Sequence, residues 1–188
     1  MIISKKQILA DVKECIKKLE DRFGKNHEYF MDMKELDLTA YLYHLIARKR
    51  YFLTLRKGRF GDDEPFKTKL LQIESSTNTK VRVGKGRFDL TIYDPKKLVS
   101  NKLNFPACYF IAVEMKWLGS LSKTALNDIE KEIKNKLDKK SNHIKHGFLL
   151  IFDKDQKFTK KFKHDVRKFR KKHSKLKIHF IPYIDRKK

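Results

Sequence analysis

A mixed α/β fold is predicted: a central mixed β-sheet flanked by helices. Three observations predict it. Apolar residues recur at helical spacing near the start of the chain and at three later places. Short apolar runs with strand patterning occupy 66–76, 80–94, 107–117, 146–153 and 176–184. In the second half, helical and strand patterns alternate, as in a sheet whose strands are returned by crossover helices.

The chain opens on an amphipathic helix, with Ile8, Val12, Ile16, Leu19 and Phe23 on one stripe and Gly24 as its stop. A second helix starts near Lys34 and carries Leu38, Leu42 and Leu45 on its apolar face. YFLTLRKGRF either extends that helix or forms a short strand. FKTKLLQIESS (66–76) and KVRVGKGRFDLTIYD (80–94) flank the turn-like pair Thr77-Asn78, which predicts a hairpin. Residues 95–106 read as a polar loop with a proline at each end, and ACYFIAVEMKW (107–117) as a buried strand. Leu126, Ile129, Ile133 and Leu137 mark a helix, and HGFLLIFD (146–153) a short buried strand. Phe158, Phe162, Val166 and Phe169 mark the last helix, and LKIHFIPYI (176–184) the last strand. No repeat and no Ser/Gly/Pro linker divides the 188 residues, so a single domain is expected.

Charge narrows the partner. The chain carries 46 Lys plus Arg against 23 Asp plus Glu, a formal net charge of +23, with mean hydropathy −0.66. A field of that size favours a polyanion, because neutralising phosphates releases condensed counterions. Nucleic acid, DNA first, is the predicted partner. The 36 lysines to 10 arginines weigh against base-specific readout, where the guanidinium fork fits better. Cys15 and Cys108 stand far apart in apolar patterns and read as core thiols in a reducing compartment. No apolar run reaches the roughly 18 to 20 residues a membrane helix needs. MIISKKQILADVKE is charged too early for a signal peptide, so an intracellular, non-secreted protein is expected, located wherever its nucleic acid is.

The chemistry lies in YFIAVEMKW, Tyr109 to Trp117, which starts as a core strand and ends on Glu114 and Lys116. With a strand period of two, both point to one face, and Met115 to the other. Asp89 is the lone acid within the strand GRFDLTIY. If the two strands are neighbours, Asp89 and Glu114 meet. Two carboxylates about 3 to 5 Å apart repel, and a shared hard cation with oxygen ligands resolves the conflict. The Met115 carbonyl would add a ligand. Lys116 would orient or deprotonate a water, or neutralise charge growing on a phosphate.

The pattern D-(x)24-E-x-K on two strands, preceded by an acid on a helix, resembles the PD-(D/E)XK (restriction endonuclease-like) nuclease superfamily. Phe88 stands where that signature has proline. The resemblance implies an αβββαβ core over 34–153, a helical extension over 1–30, and a basic helix and strand over 154–188. It also implies a Mg²⁺-dependent endodeoxyribonuclease, with Mn²⁺ able to substitute. Asp89 and Glu114 would be metal ligands and Lys116 the catalytic lysine. Glu35, in KELDLTAYLYHL, matches the helix glutamate of many members, with Glu74 a second candidate for the additional acid. A homodimer follows by analogy, since cutting two strands calls for two sites.

Each residue also has a plainer reading. Glu114 and Lys116 would serve as an edge-strand charge pair, Asp89 would close a turn, and Glu35 would favour a helix dipole. Asp37, His143 and His146 read as surface residues. For the backbone of DNA, Lys80, Arg82, Lys85 and Arg87 line the approach to Asp89. From Lys154 to Lys188, 15 basic residues face 3 acidic ones. The competing function is a non-catalytic nucleic-acid-binding protein on a nuclease-like scaffold.

Overall fold

The computed structural model describes residues 3–25, 33–58, 66–76, 87–97, 109–118, 144–153 and 176–181, with single positions at 127, 137, 164, 167, 168 and 171. Helix α1 (Lys5–Lys25) starts where Ser4 Oγ accepts the Gln7 N–H at 3.1 Å, which satisfies one of the orphan amides of the first turn. Its apolar stripe is fully buried, from Ile8 through Phe23. Helix α2 (Glu35–Ala47) is capped by Asp37, whose Oδ2 accepts the Lys34 N–H at 2.7 Å. Asp37, expected to be a plain surface residue, is therefore part of the reason the helix begins at Glu35. Leu38, Leu42, Leu45 and Ile46 form its buried face.

YFLTLRKGRF neither extends α2 nor forms one strand. A 3-10 turn at Arg50–Phe52 buries Phe52, and β1 (Arg56–Gly58) follows, paired antiparallel with β2 (Phe66–Thr68). The single strand expected over 66–76 is split. At the break the buried Leu70 donates its N–H to the Phe52 carbonyl at 3.1 Å, and its own carbonyl accepts from Tyr93 at 2.9 Å. These bonds turn the chain out of one two-stranded sheet and into the main one.

That sheet contains β3 (Leu71–Ser76), β4 (Arg87–Tyr93), β5 (Tyr109–Leu118), β6 (His146–Asp153) and β7 (Leu176–Ile181) in spatial order β3-β4-β5-β6-β7. The first three are antiparallel, and β5, β6 and β7 are parallel. Parallel neighbours need long returns, and more than twenty residues separate β5 from β6 and β6 from β7. Of the two expected return helices, most positions lie outside the described residues. Asn127 and Leu137 are helical in the first, and His164, Arg167, Lys168 and Lys171 in the second. Leu137 is buried, while Lys168 and Lys171 are exposed, as a basic outer face requires. Cys15 is a buried free thiol; Cys108 lies outside the described residues.

β5 is central, and Tyr109 to Met115 are buried along both faces of its pleat. Phe23 of α1 meets Phe152 of β6 edge-on at 5.1 Å, adding about 0.5–1.5 kcal/mol to simple burial. A polar tie fixes α1 at its other side. Asp11, 5% exposed, accepts from Tyr51 Oη at 2.6 Å and Gln7 Nε2 at 3.1 Å, and Lys49 lies 3.4 Å away. Burial opposes its charge, but these partners outweigh it and hold the carboxyl below its ordinary range. Burial and the same carboxylate push the Tyr51 phenol well above its usual value.

His146 differs from the surface histidine expected; His143 lies outside the described residues. The His146 ring is half-buried, edge-on to Phe110 at 5.1 Å. Burial and the facing cations Lys177 of β7, Lys13 of α1 and Lys145 lower its pKa. The unfolded chain therefore takes up this proton first, as pH falls through about 6.5, and stability is lost from there downward. Replacing His146 by Gln is expected to flatten the loss of melting temperature between pH 7 and pH 5; an unchanged slope in thermal melts would count against this assignment.

Candidate active site

The antiparallel pairing of β4 with β5 runs to Leu90↔Val113. Continued one step, that register would set Asp89 opposite Glu114. Period two along each strand from the paired Leu90 and Val113 assigns the two acids to one side of the sheet. On β3 the position between those paired with Leu90 and Phe88 belongs to Glu74, which puts it next to Asp89 in the backbone register.

Here the ladder changes character. The Met115 N–H points toward β4, and the regular pattern would send it to the Phe88 carbonyl. Instead the Asp89 carboxylate takes it, Oδ2 accepting at 2.7 Å. A side chain thus replaces the backbone at the end of the pairing. In an extended strand the N–H and C=O of one residue leave on the same edge, so the Met115 carbonyl also turns toward β4. Glu114 is 1% exposed. A carboxylate so enclosed within a buried strand needs compensating partners.

Helix α2 closes the site from the other side. Glu35 and Thr39, one helical turn apart, both reach the end of β5. Lys116 Nζ lies 3.1 Å from Glu35 Oε1. Thr39 Oγ1 donates to the Glu35 carbonyl at 3.0 Å and lies 3.5 Å from Met115 Sδ. Met115 and Lys116 belong to opposite faces of the pleat, yet both touch α2. The long lysine stem does this where β4 and β5 stop pairing. Lys116 and Glu35 are partly exposed, 22% and 37%, so the ion pair sits at the mouth of the site while Glu114 lies within.

Asp89, Glu114, Met115, Lys116 and Glu35 thus gather at the C-terminal end of β5, from two strands and one helix. Arg87, two residues from Asp89 on β4, is exposed. Lys80, Arg82 and Lys85 lie outside the described residues, as does the side chain of Glu74. The Lys116–Glu35 pair and the Asp89–Met115 bond were not read from the sequence. Glu35 and Lys116 are 81 positions apart, and the packing of α2 beside β5 brings them together.

The donors at Asp89, Glu114 and the Met115 carbonyl are all oxygens, the set a hard cation such as Mg²⁺ takes. Among the described residues, no three or more His, Cys, Asp or Glu side chains converge as a metal cluster; two carboxylates and a carbonyl are a smaller set. No helix among the described residues is long and apolar enough to cross a membrane. Comparison with protein-family models, curated proteins and solved structures found no match to this chain.

The contribution of Asp89 to the fold is read by substitution. Asp89→Asn keeps an oxygen to accept the Met115 N–H, and its melting temperature is expected to stay near wild type. Asp89→Ala strands that amide and is expected to cost about 1–3 kcal/mol in denaturant unfolding. Equal destabilisation by both variants would mean the amide bond is not what Asp89 contributes to the fold.

Proposed function

We propose that the chain is a divalent-metal-dependent nuclease that hydrolyses DNA phosphodiester bonds, built on a restriction endonuclease-like core. The observation that carries this reading is the junction of β4 and β5. Asp89 and Glu114 occupy facing positions there, and Lys116 follows two residues on with its ammonium held by Glu35. The order of elements, with a helix before an antiparallel trio and a parallel strand after it, supports the same reading.

Asp89, Glu114 and the Met115 carbonyl would hold Mg²⁺, which when bound neutralises charge at the phosphate and makes a water acidic enough to ionise near neutral pH. Asp89 accepts the Met115 N–H through Oδ2, a bond that fixes the carboxylate's orientation at the end of the β4–β5 pairing. Glu114, 1% exposed, would give the ion a carboxylate where little water screens their attraction. Lys116 is the positioning cation. Glu35 steadies its ammonium, which would align the attacking water or meet a nonbridging phosphate oxygen. The water attacks phosphorus, the bond to the 3′ oxygen breaks, and that oxygen leaves with a proton. Arg87 and the surrounding lysines would hold the backbone without reading bases.

A second reading, a nucleic-acid-binding protein that does not cut, is favoured by one observation. Lys116 is engaged by a carboxylate and not directed into solvent. Metal dependence separates the two. Mg²⁺ or Mn²⁺ is expected to support cleavage of labelled DNA, and Ca²⁺ is not. Glu114→Ala is expected to abolish turnover, and Lys116→Ala to lower it by about 10²–10⁴, with DNA affinity retained in both. Cleavage by Glu114→Ala at the wild-type rate, in a preparation free of contaminating nuclease, defeats the catalytic reading and leaves the binder.

A further inference from the structure

Helices α1 and α2 enclose a pocket of about 420 Å³ on the outer side of the helical layer. Its walls carry Lys18, Arg22 and Lys25 of α1 and Arg48 at the C-terminus of α2, with Tyr41 and Asp21 between them. Leu45 also lines it. The volume is that of an ordinary ligand site. All four cations are exposed, and the one acid in the wall, Asp21, is already paired with Lys17 at 2.6 Å. Lys18 is paired with Glu14, so the pocket's positive charge rests mainly on Arg22, Lys25 and Arg48. Arg22 is laid over the Tyr41 ring, 5.5 Å from its centroid, so its guanidinium is held in place before any ligand arrives. An oriented guanidinium beside further cations suits the oxygens of a phosphate diester.

We infer that this α1–α2 pocket is a second phosphate-binding subsite, which grips the backbone of a nucleic acid away from the strand ends that carry Glu114 and Lys116. This inference rests on the nucleic-acid partner of the proposed function. Its position gives the reach. Along α2, Tyr41 and Arg48 lie about 9 Å and about 20 Å from Glu35 at 1.5 Å per residue. At about 3.4 Å per nucleotide along one strand, the subsite meets the backbone about three to six nucleotides from the bond beside Lys116. α1 also takes its place in the function: a helix outside the catalytic core, it would lengthen the footprint.

The test measures binding apart from cleavage. Fluorescent 20-mer duplex DNA is titrated in EDTA across a salt series with wild type, Arg22→Gln/Arg48→Gln, Lys18→Gln/Lys25→Gln, and a control, Lys6→Gln/Lys96→Gln, that removes the same charge elsewhere. Each pocket variant is expected to bind about five- to tenfold more weakly, with a salt slope lower by about two. The control is expected to stay within twofold. A control as weak as the pocket variants would show a diffuse field, and unchanged slopes would show that no phosphate is held; either overturns the subsite. Loss of DNA binding by the wild type itself also overturns it. Binding without any Mg²⁺-dependent cleavage sinks the catalytic reading alone, because the slope comparison still decides the pocket.

Discussion

A single hydrogen bond, from the Met115 N–H to the Asp89 carboxylate, sets the geometry on which the candidate site depends. Antiparallel strands normally continue their ladder until one chain turns away. Here the next backbone acceptor gives way to a side chain, and β4 and β5 part without leaving a buried amide orphaned. The parting has two consequences. It leaves Glu114 enclosed where the β4–β5 pairing stops, after an apolar run from Tyr109 to Val113. It also lets Lys116, which belongs to one face, reach Glu35 of a helix that touches Met115 on the other. Without the splay, Glu114 and Lys116 would be two charges on a sheet surface with no connection to α2.

The same economy of acids runs through the rest of the molecule. With 23 acidic against 46 basic residues, an acid withdrawn from solvent has many cations available to it. Asp94, 1% exposed, ends β4 by accepting the Lys96 N–H at 3.0 Å and pairing with Lys5 of α1. Asp11 ties α1 to Tyr51 and Lys49. Both are structural: each has a full set of partners and lies away from the mouth between β4 and β5. Glu114 shares their burial but stands just past the last β4–β5 pair, next to Asp89 in the continued register. Position, and not burial, distinguishes it.

Much of this was legible in the chain. The strand at 107–117 announces itself by an apolar run ending on E-x-K, and Asp89 by being the lone acid between buried neighbours. Period-two alternation then places both acids on one face once the strands are adjacent. The helical stripes of α1 and α2 follow from simple spacing. The misses have a common cause. The split at Leu70, the half-buried His146 and the Lys116–Glu35 pair depend on where separate elements end relative to one another. Periodicity within one element carries no information about that. Asp37 is exposed, as its helix face predicts; its added role is a backbone bond three residues back, which a face-by-face reading does not carry.

The balance between affinity and selectivity follows from how the cations are built. Lysine outnumbers arginine 36 to 10, and a flexible ammonium meets a phosphate from many directions but rarely selects a base. On the nuclease reading, affinity then comes from counterion release over a broad surface, and the choice of bond must come from geometry at the mouth between β4 and β5. On the same reading, a buried Glu114 beside a partly exposed Lys116–Glu35 pair would select by the path of the backbone that can approach it. Shape of the nucleic acid, more than its sequence, is what such a surface is able to distinguish.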